Sequence, residues 1–148
     1  MEYIVKNFNE LTTKEFYQIA KERVAVFVVE QNCPYQEIDE TDEVALHTYF
    51  LSENGEIAAY TRIYSENETV HFGRVLVTKA FRKNGLGKKV VAKTLEVIAE
   101  KFPNQKVVIG AQAYLQDFYG EFGFQAISEV YLEDDIPHID MELAEISL

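Results

Sequence analysis

The six residues from Arg82 to Gly87, with the sequence Arg-Lys-Asn-Gly-Leu-Gly, constrain this chain more than any other segment. They lie between an apolar run at 75–77 and an amphipathic run at 86–102, so they connect a predicted strand to the start of a predicted helix. In that order, successive backbone N–H groups and the positive end of the helix dipole meet at one place. Gly85 and Gly87 also allow a ligand to approach the backbone closely. The segment therefore predicts an anion site, most often used for phosphate.

The composition limits what else the chain can be. With 148 residues and 47% apolar residues, it is predicted to fold as one domain spanning 1–148. The net charge of −11 argues against nucleic acid or an anionic membrane surface as the main partner. That charge is compatible with a cationic substrate such as an amine, or with solubility alone.

A cytoplasmic location is the expectation from the remaining sequence features. No run of eighteen apolar residues is present, and the first residues lack the basic start and apolar stretch of a signal peptide. Cys33 is the single cysteine, so no internal disulfide can form.

The hydrophobic pattern predicts an α/β fold, with a mixed, mostly antiparallel central sheet and helices on both faces. Thr12 and Glu15 fit a capping box for a helix that ends near Glu30. Asn54-Gly55 predicts a hairpin turn, and Gly73 predicts either a bulge or a place where a ligand or another group approaches the backbone. Strands are predicted at 3–8, 47–51, 57–64, 69–77, 106–111, 124–132 and 138–146, and further helices at 86–102 and 114–122, with a parallel crossover between the strands at 69–77 and 106–111.

A second motif follows the strand at 106–111. Phe118-Tyr119 is followed three residues later by Gly123-Phe124. The loop at 82–87 is neither a P-loop nor a dinucleotide fingerprint. Together the two motifs resemble the pyrophosphate-binding sequence Gln/Arg-x-x-Gly-x-Gly/Ala and the second signature of the Gcn5-related N-acetyltransferase (GNAT) superfamily. Segments within 26–35, 73–75 and 131–139, together with Arg23, Asp39, Asp42 and His47, resemble its ElaA-like branch.

The resemblance implies acetyl transfer from acetyl-coenzyme A, as cosubstrate, to an amine. It implies a strand at 73–77 that splays from the strand at 106–111, with pantetheine between them. Gln112 stands where many members carry Asn, so its amide is displaced by one methylene. The cofactor-binding residues that it implies are Leu76, Val77, Arg82, Lys83, Asn84, Gly85, Leu86, Gly87, Lys88, Gln112 and Phe118.

The chemistry requires few protein groups. A neutral amine attacks the thioester carbonyl, and a backbone N–H near Val75 to Val77 is placed to stabilise the oxyanion. Tyr119 matches the residue that protonates the leaving thiolate in the family. The alternative for Tyr119 is an amphipathic core tyrosine.

A base or a water relay must also take a proton from the acceptor ammonium. Glu30 and His47 are the catalytic candidates, and Glu37, Asp39 and His138 are the substrate-binding candidates; the sequence leaves the choice among these five open. The acidic loop at 37–43 is alternatively a solvated surface. His71 is assigned to the core or surface of its strand.

Several alternatives remain at this point. Cys33 could act as a nucleophile, although no Cys-His-Asn signature surrounds it. The three histidines lack metal-ligand spacing, so no metal is expected. The chain could instead be a non-catalytic sensor of acyl-coenzyme A, an enzyme with another acyl donor, or one that acetylates peptides or proteins. A homodimer through the last strands is also open.

Overall fold

A mixed sheet forms the centre of the protein in the computed structural model, which describes residues 1–144. The strands are β1 Glu2–Asn7, β2 Leu46–Leu51, β3 Ile57–Glu66, β4 Thr69–Val77, β5 Lys106–Gln112, β6 Gln125–Ala126, β7 Tyr131–Glu133 and β8 Ile136–Leu143. Their order in the sheet is β1-β2-β3-β4-β5-β8-β6, and β7 pairs with β8. The α/β fold with a mixed sheet is as predicted from the sequence.

Four helices accompany the described strands: α1 Thr13–Val24, α2 Thr41–Val44, α3 Leu86–Lys101 and α4 Gln116–Gly120. Residues of α1 pack with Tyr49, Tyr60 and Leu76 on one face of the sheet. On the other face, Val90 and Val91 of α3 pack in the larger core. Alternate strand residues point to opposite faces, so the sheet separates two apolar clusters. The expected helices on both faces are confirmed.

The first helix begins where the sequence predicts and continues in a different geometry. Thr12 Oγ1 accepts a hydrogen bond from the Glu15 N–H at 3.1 Å, and Glu15 accepts one from the Thr12 N–H at 2.8 Å. After Val24 the chain continues as a π-helical segment, Ala25–Glu30. There the Cys33 N–H donates to the carbonyl five residues earlier, at 3.0 Å. Such wide turns often occur at functional sites.

The strand pair β4–β5 is parallel, whereas the other described pairs are antiparallel. The parallel arrangement of these two strands, with α3 between them in sequence, is as predicted.

The predicted bulge in β4 lies one residue later than expected. The register of β3 and β4 shifts between Tyr60 and Arg62, and Arg74 has a φ of 50° in the left-handed region, whereas Gly73 does not.

Two predictions for the last third of the chain are wrong in detail. The segment 124–132 is not one strand but the two short strands β6 and β7. Between them, the Ser128 hydroxyl accepts a hydrogen bond from the Asp140 N–H at 2.9 Å, which takes the place of a backbone ladder bond. The hairpin turn at Asp134 and Asp135 has φ values of 51° and 62°, as a two-residue turn requires, so β8 begins at Ile136.

The other bounds differ by a few residues. The predicted helix at 114–122 consists of a 3-10 turn, Ala113–Leu115, followed by α4. The loop that follows the π-helical segment leads into α2 at Thr41. The predicted end of the last strand at 145–146 lies outside the described residues. In the described part of the chain, no helix is both long and apolar enough to cross a membrane.

Replacing Thr12 with Ala removes the side-chain half of the capping box. We expect the free energy of unfolding to fall by about 1 kcal/mol, because the Glu15 N–H loses its partner. Thr13→Ala, at the first helical position, is the matched control and should leave stability within a few tenths of that of the wild type. Urea unfolding measures both; equal losses in the two variants would contradict the capping role.

Candidate active site

The two central strands separate soon after they begin. β4 and β5 pair through Thr69 with Lys106 and Val70 with Val107, and no further pairs follow within the described sheet. A cavity of about 810 Å³ opens beyond that point. Residues 71–77 of β4 and 108–112 of β5 line its walls. The backbone groups that face the gap are therefore available to a ligand.

The predicted anion site lies at the start of α3. Gly85 is the N-cap with a φ of 72° and makes no side-chain cap. The first N–H groups of α3 have no carbonyl within the helix to bond, so they remain free for an anion. A Cβ on Gly87 would lie 3.8 Å from Val77 Cγ2 and 3.9 Å from Phe118 Cζ. Four of the predicted cofactor residues therefore lie together.

Arg82 and Glu30 connect this loop to the π-helical segment. Arg82 donates from both terminal nitrogens to the Glu30 carboxylate at 2.9 and 2.7 Å, and its Nε donates to the Val77 carbonyl at 2.9 Å. The hydrogen bond from Arg82 holds the pKa of Glu30 below its ordinary value. Glu30 borders the cavity, but this pairing makes its carboxylate a weak base.

Tyr119 lies against the cavity from the α3 side of the sheet. The centroid of its ring lies 6.3 Å from that of Phe72 and 6.0 Å from that of Phe124. Tyr119 is only 5% exposed to solvent. Burial raises the pKa of the phenol, and the nearby Tyr114 adds to the effect. The hydroxyl therefore keeps its proton at neutral pH.

Three residues that line the cavity, Asp39, Arg62 and Arg74, belong to a closed ring of six charged side chains. Each of three arginines contacts two carboxylates, and each of three carboxylates contacts two arginines. The formal charges of the ring therefore cancel. In order, the shortest contacts are Arg23–Glu37 2.8 Å, Glu37–Arg74 3.2 Å, Arg74–Asp39 3.4 Å, Asp39–Arg62 2.7 Å, Arg62–Asp42 3.0 Å and Asp42–Arg23 2.6 Å.

This charge ring changes the interpretation of the acidic loop. Glu37 is buried away from the cavity, whereas Asp39 lines it between Arg62 and Arg74. Burial raises the pKa of Asp39, but the hydrogen bond and charge of Arg62 outweigh it and leave that pKa below its ordinary value. The predicted solvated surface is wrong for these acids. Neither carboxylate is free to bind a cation.

The sequence did not reveal that the arginines of the charge ring are ion-pair partners of the acidic loop. Arg62 lies in a strand whose neighbours are almost all buried. A charged residue in such a strand requires a partner, because an unpaired buried charge is costly. That signal was present in the sequence, but it did not identify the partners.

His47 is fully buried and is absent from the cavity wall. Its Nε2–H donates to the Asp42 carbonyl at 2.9 Å, and its Nδ1 accepts from the Tyr60 hydroxyl at 2.6 Å. Tyr60 in turn accepts from Arg23 at 3.3 Å. Burial lowers the pKa of His47, so the ring is neutral. This geometry is at odds with a role as general base. His47 instead binds Asp42 directly and Arg23 through Tyr60, so it supports two members of the charge ring.

Two other histidines do line the cavity. His138 donates from Nδ1 to the Ile136 carbonyl at 2.7 Å, and its Nε2 lies 3.6 Å from Glu133. His71, which the sequence analysis assigned to the core or surface, donates from Nδ1 to the Val108 carbonyl at 3.0 Å.

The remaining candidates are limited by their surroundings. Cys33 lines the cavity, but burial raises the pKa of its thiol, which leaves little nucleophilic thiolate. The Gln112 side-chain amide donates to Gln31 at 3.4 Å at the cavity wall. Among residues 1–144, no cluster of three or more His, Cys, Asp and Glu side chains could hold a metal ion.

Comparisons with known proteins agree with this geometry. Protein ElaA of Escherichia coli is 45% identical over 137 residues, 90% of each chain, and its crystal structure superposes with a TM-score of 0.91 over 96% of this chain and 99% of that one. A UPF0039 protein of Schizosaccharomyces pombe is 43% identical over 145 residues, 97% of each chain. An acyl-CoA N-acyltransferase of Pseudomonas aeruginosa is 39% identical, with a TM-score of 0.90 over 96% and 99% of the two chains.

Residues 14–145 match the family described as "Acetyltransferase (GNAT) domain", which covers most of the chain. The resemblance to the GNAT superfamily and to its ElaA-like members is therefore confirmed, as is the acyl-CoA N-acyltransferase fold. The chain belongs to the GNAT acetyltransferase family and is an acyltransferase of the N-acetyltransferase type.

Proposed function

We propose that this protein transfers the acetyl group of acetyl-coenzyme A to the primary amine of a small molecule, by direct attack in a ternary complex. The observation that carries this proposal is the gap between β4 and β5. It has the free N–H groups of α3 at one end and Tyr119 at its side. A gap that joins an anion site to a buried proton donor suits a thioester with a phosphate-bearing tail.

The cofactor would bind along the gap between β4 and β5, from the start of α3 towards Tyr119. The pyrophosphate meets the N–H groups from Arg82 to Lys88, and pantetheine follows the edge of β4 at Leu76 and Val77. Gln112 faces the gap from β5, and Phe118 packs beside Gly87. Arg82 must exchange part of its contact with Glu30 for phosphate, a charge-assisted exchange at the surface.

The reaction then needs an oxyanion donor and an acid. The bulge at Arg74 leaves Val75 without a partner on β3, and residues 75–77 have no partner on β5, so the N–H groups of these residues are the candidates for the oxyanion. Tyr119 supplies the proton to the departing thiolate. Its burial excludes water that would compete for that proton.

A small acceptor is favoured by the size and charge of the site. A volume of about 810 Å³ must hold both pantetheine and the acceptor. The charge ring presents a neutral wall, so the acidic loop does not select a polycation. A cytoplasmic location and a homodimer remain predictions.

Changing Gly87 to Val tests the cofactor loop. The added side chain fills the space beside Val77 and Phe118 and blocks the approach of phosphate. We expect calorimetric affinity for acetyl-coenzyme A to fall at least about 100-fold, while thermal unfolding stays cooperative. Gly87→Ala is the matched control, since its Cβ makes only ordinary contacts and Ala favours a helix. Unchanged affinity in Gly87→Val would mean that the loop does not bind the cofactor.

Changing Tyr119 to Phe tests the acid. The variant keeps the ring packing and loses only the hydroxyl, so we expect kcat to fall about 100-fold with acetyl-coenzyme A affinity retained. Release of the coenzyme A thiol, with the best amine from a library screen, measures the rate. Tyr17→Phe, on the exposed side of α1, is the control and should keep the wild-type rate. A Tyr119→Phe enzyme with unchanged kcat would remove this residue from the chemistry.

A further inference from the structure

We propose that His71 is the general base that takes the proton from the acceptor ammonium, an inference that rests on the proposed function. His71 is the first residue of β4 beyond the last β4–β5 pair, Val70 with Val107. It therefore lies where the gap opens, and its side chain lines the cavity.

The hydrogen bonding of His71 fixes which nitrogen can accept a proton. A carbonyl oxygen only accepts hydrogen bonds, so Nδ1 must carry the proton that it donates to Val108 at 3.0 Å. In the neutral ring, Nε2 then holds a lone pair. Among residues 1–144, Nε2 makes no hydrogen bond or ion pair with the protein. The ring also stacks on Tyr64, with centroids 5.1 Å apart, which holds its orientation.

The sheet places this base and the acid on opposite faces. Phe72 packs against Tyr119, so the preceding residue, His71, points to the other face. Tyr64 is the direct cross-strand partner of His71, and Arg62 lies two residues earlier on the same face of β3. His71 therefore shares its face with the charge ring, and the amine would approach from that face while the thiolate is protonated from the other.

The other candidate bases are less suited to the task. Glu30 is bound by two nitrogens of Arg82, and Asp39 is bound by Arg62 and Arg74. His138 uses Nδ1 to bind the Ile136 carbonyl, and its Nε2 lies 3.6 Å from the Glu133 carboxylate, so this carboxylate lies beside the nitrogen that would have to accept a proton.

The proton balance of the step is complete. His71 Nε2 takes one proton from the ammonium, and the freed lone pair of the amine forms a bond to the acetyl carbon. The C–S bond then breaks, and the thiolate takes the Tyr119 proton. The second proton shed by the nitrogen restores the phenol, and the imidazolium releases its proton to water.

Two small amines of nearly the same shape test this role. Ethylamine is an ammonium at neutral pH and needs a base, whereas methoxyamine is already neutral and does not. In His71→Asn the side-chain amide can still donate to Val108. We expect its kcat/KM to fall about 100-fold with ethylamine and to stay within about threefold with methoxyamine. His138→Asn is the matched variant and should change both amines by the same factor.

The outcomes separate the two proposals. Equal losses with both amines in His71→Asn would assign this residue a structural role, and no loss with ethylamine would exclude it as the base. If the wild-type protein acetylates neither amine, the proposed function fails in its small-amine form, and the role of His71 falls with it.

Discussion

The early separation of β4 from β5 is the constraint on which the rest of the site depends. Two residue pairs hold the strands together, and beyond them each strand exposes backbone groups to a cavity. Buried backbone groups need partners, so an opening of this kind is stable only where water or a ligand occupies it. The hydrogen bond from His71 to the Val108 carbonyl satisfies one of these groups at the point where the gap begins.

The charge ring holds the opposite wall in place. Arg74 has left-handed backbone angles, which are unfavourable for a residue with a side chain. Its contacts with Glu37 and Asp39 connect this bulge to the loop before α2. Burying a charge without a partner is costly, so removing one member would leave others unpaired. The ring therefore joins the geometry of the bulge to that of the loop at 37–43.

The sequence predicted the elements whose cause is local. The capping box at Thr12, the glycines at 85 and 87, and the amphipathic run of α3 each carry a physical signal within a few residues, and the structure has these elements at those positions. The motif Phe118-Tyr119 with Gly123-Phe124 predicted a functional Tyr119, and in the structure Tyr119 lines the cavity. The split of the strand at 124–132 was not predictable in this way, because it depends on a hydrogen bond between Ser128 and the distant Asp140.

The acidic loop at 37–43 shows that local sequence patterns also fail in the site wherever the partners are distant in sequence. Its carboxylates looked like solvated or substrate-binding groups, since their partners lie far away in sequence: Arg62 is 23 residues from Asp39. Only the fold brings three arginines to three carboxylates. His47 and His71 lie on the same face of the sheet, but His71 lies on β4 beside the gap, whereas His47 lies two strands away on β2 and is covered by Asp42 and Tyr60. The sequence did not show which histidine lies beside the gap.

A crystal structure of the protein with bound coenzyme A tests the central claim most directly. The account predicts pyrophosphate on the N–H groups at the start of α3, pantetheine between β4 and β5, and the sulfur beside Tyr119. Coenzyme A bound elsewhere on the surface, with the gap between the two strands empty, would contradict it.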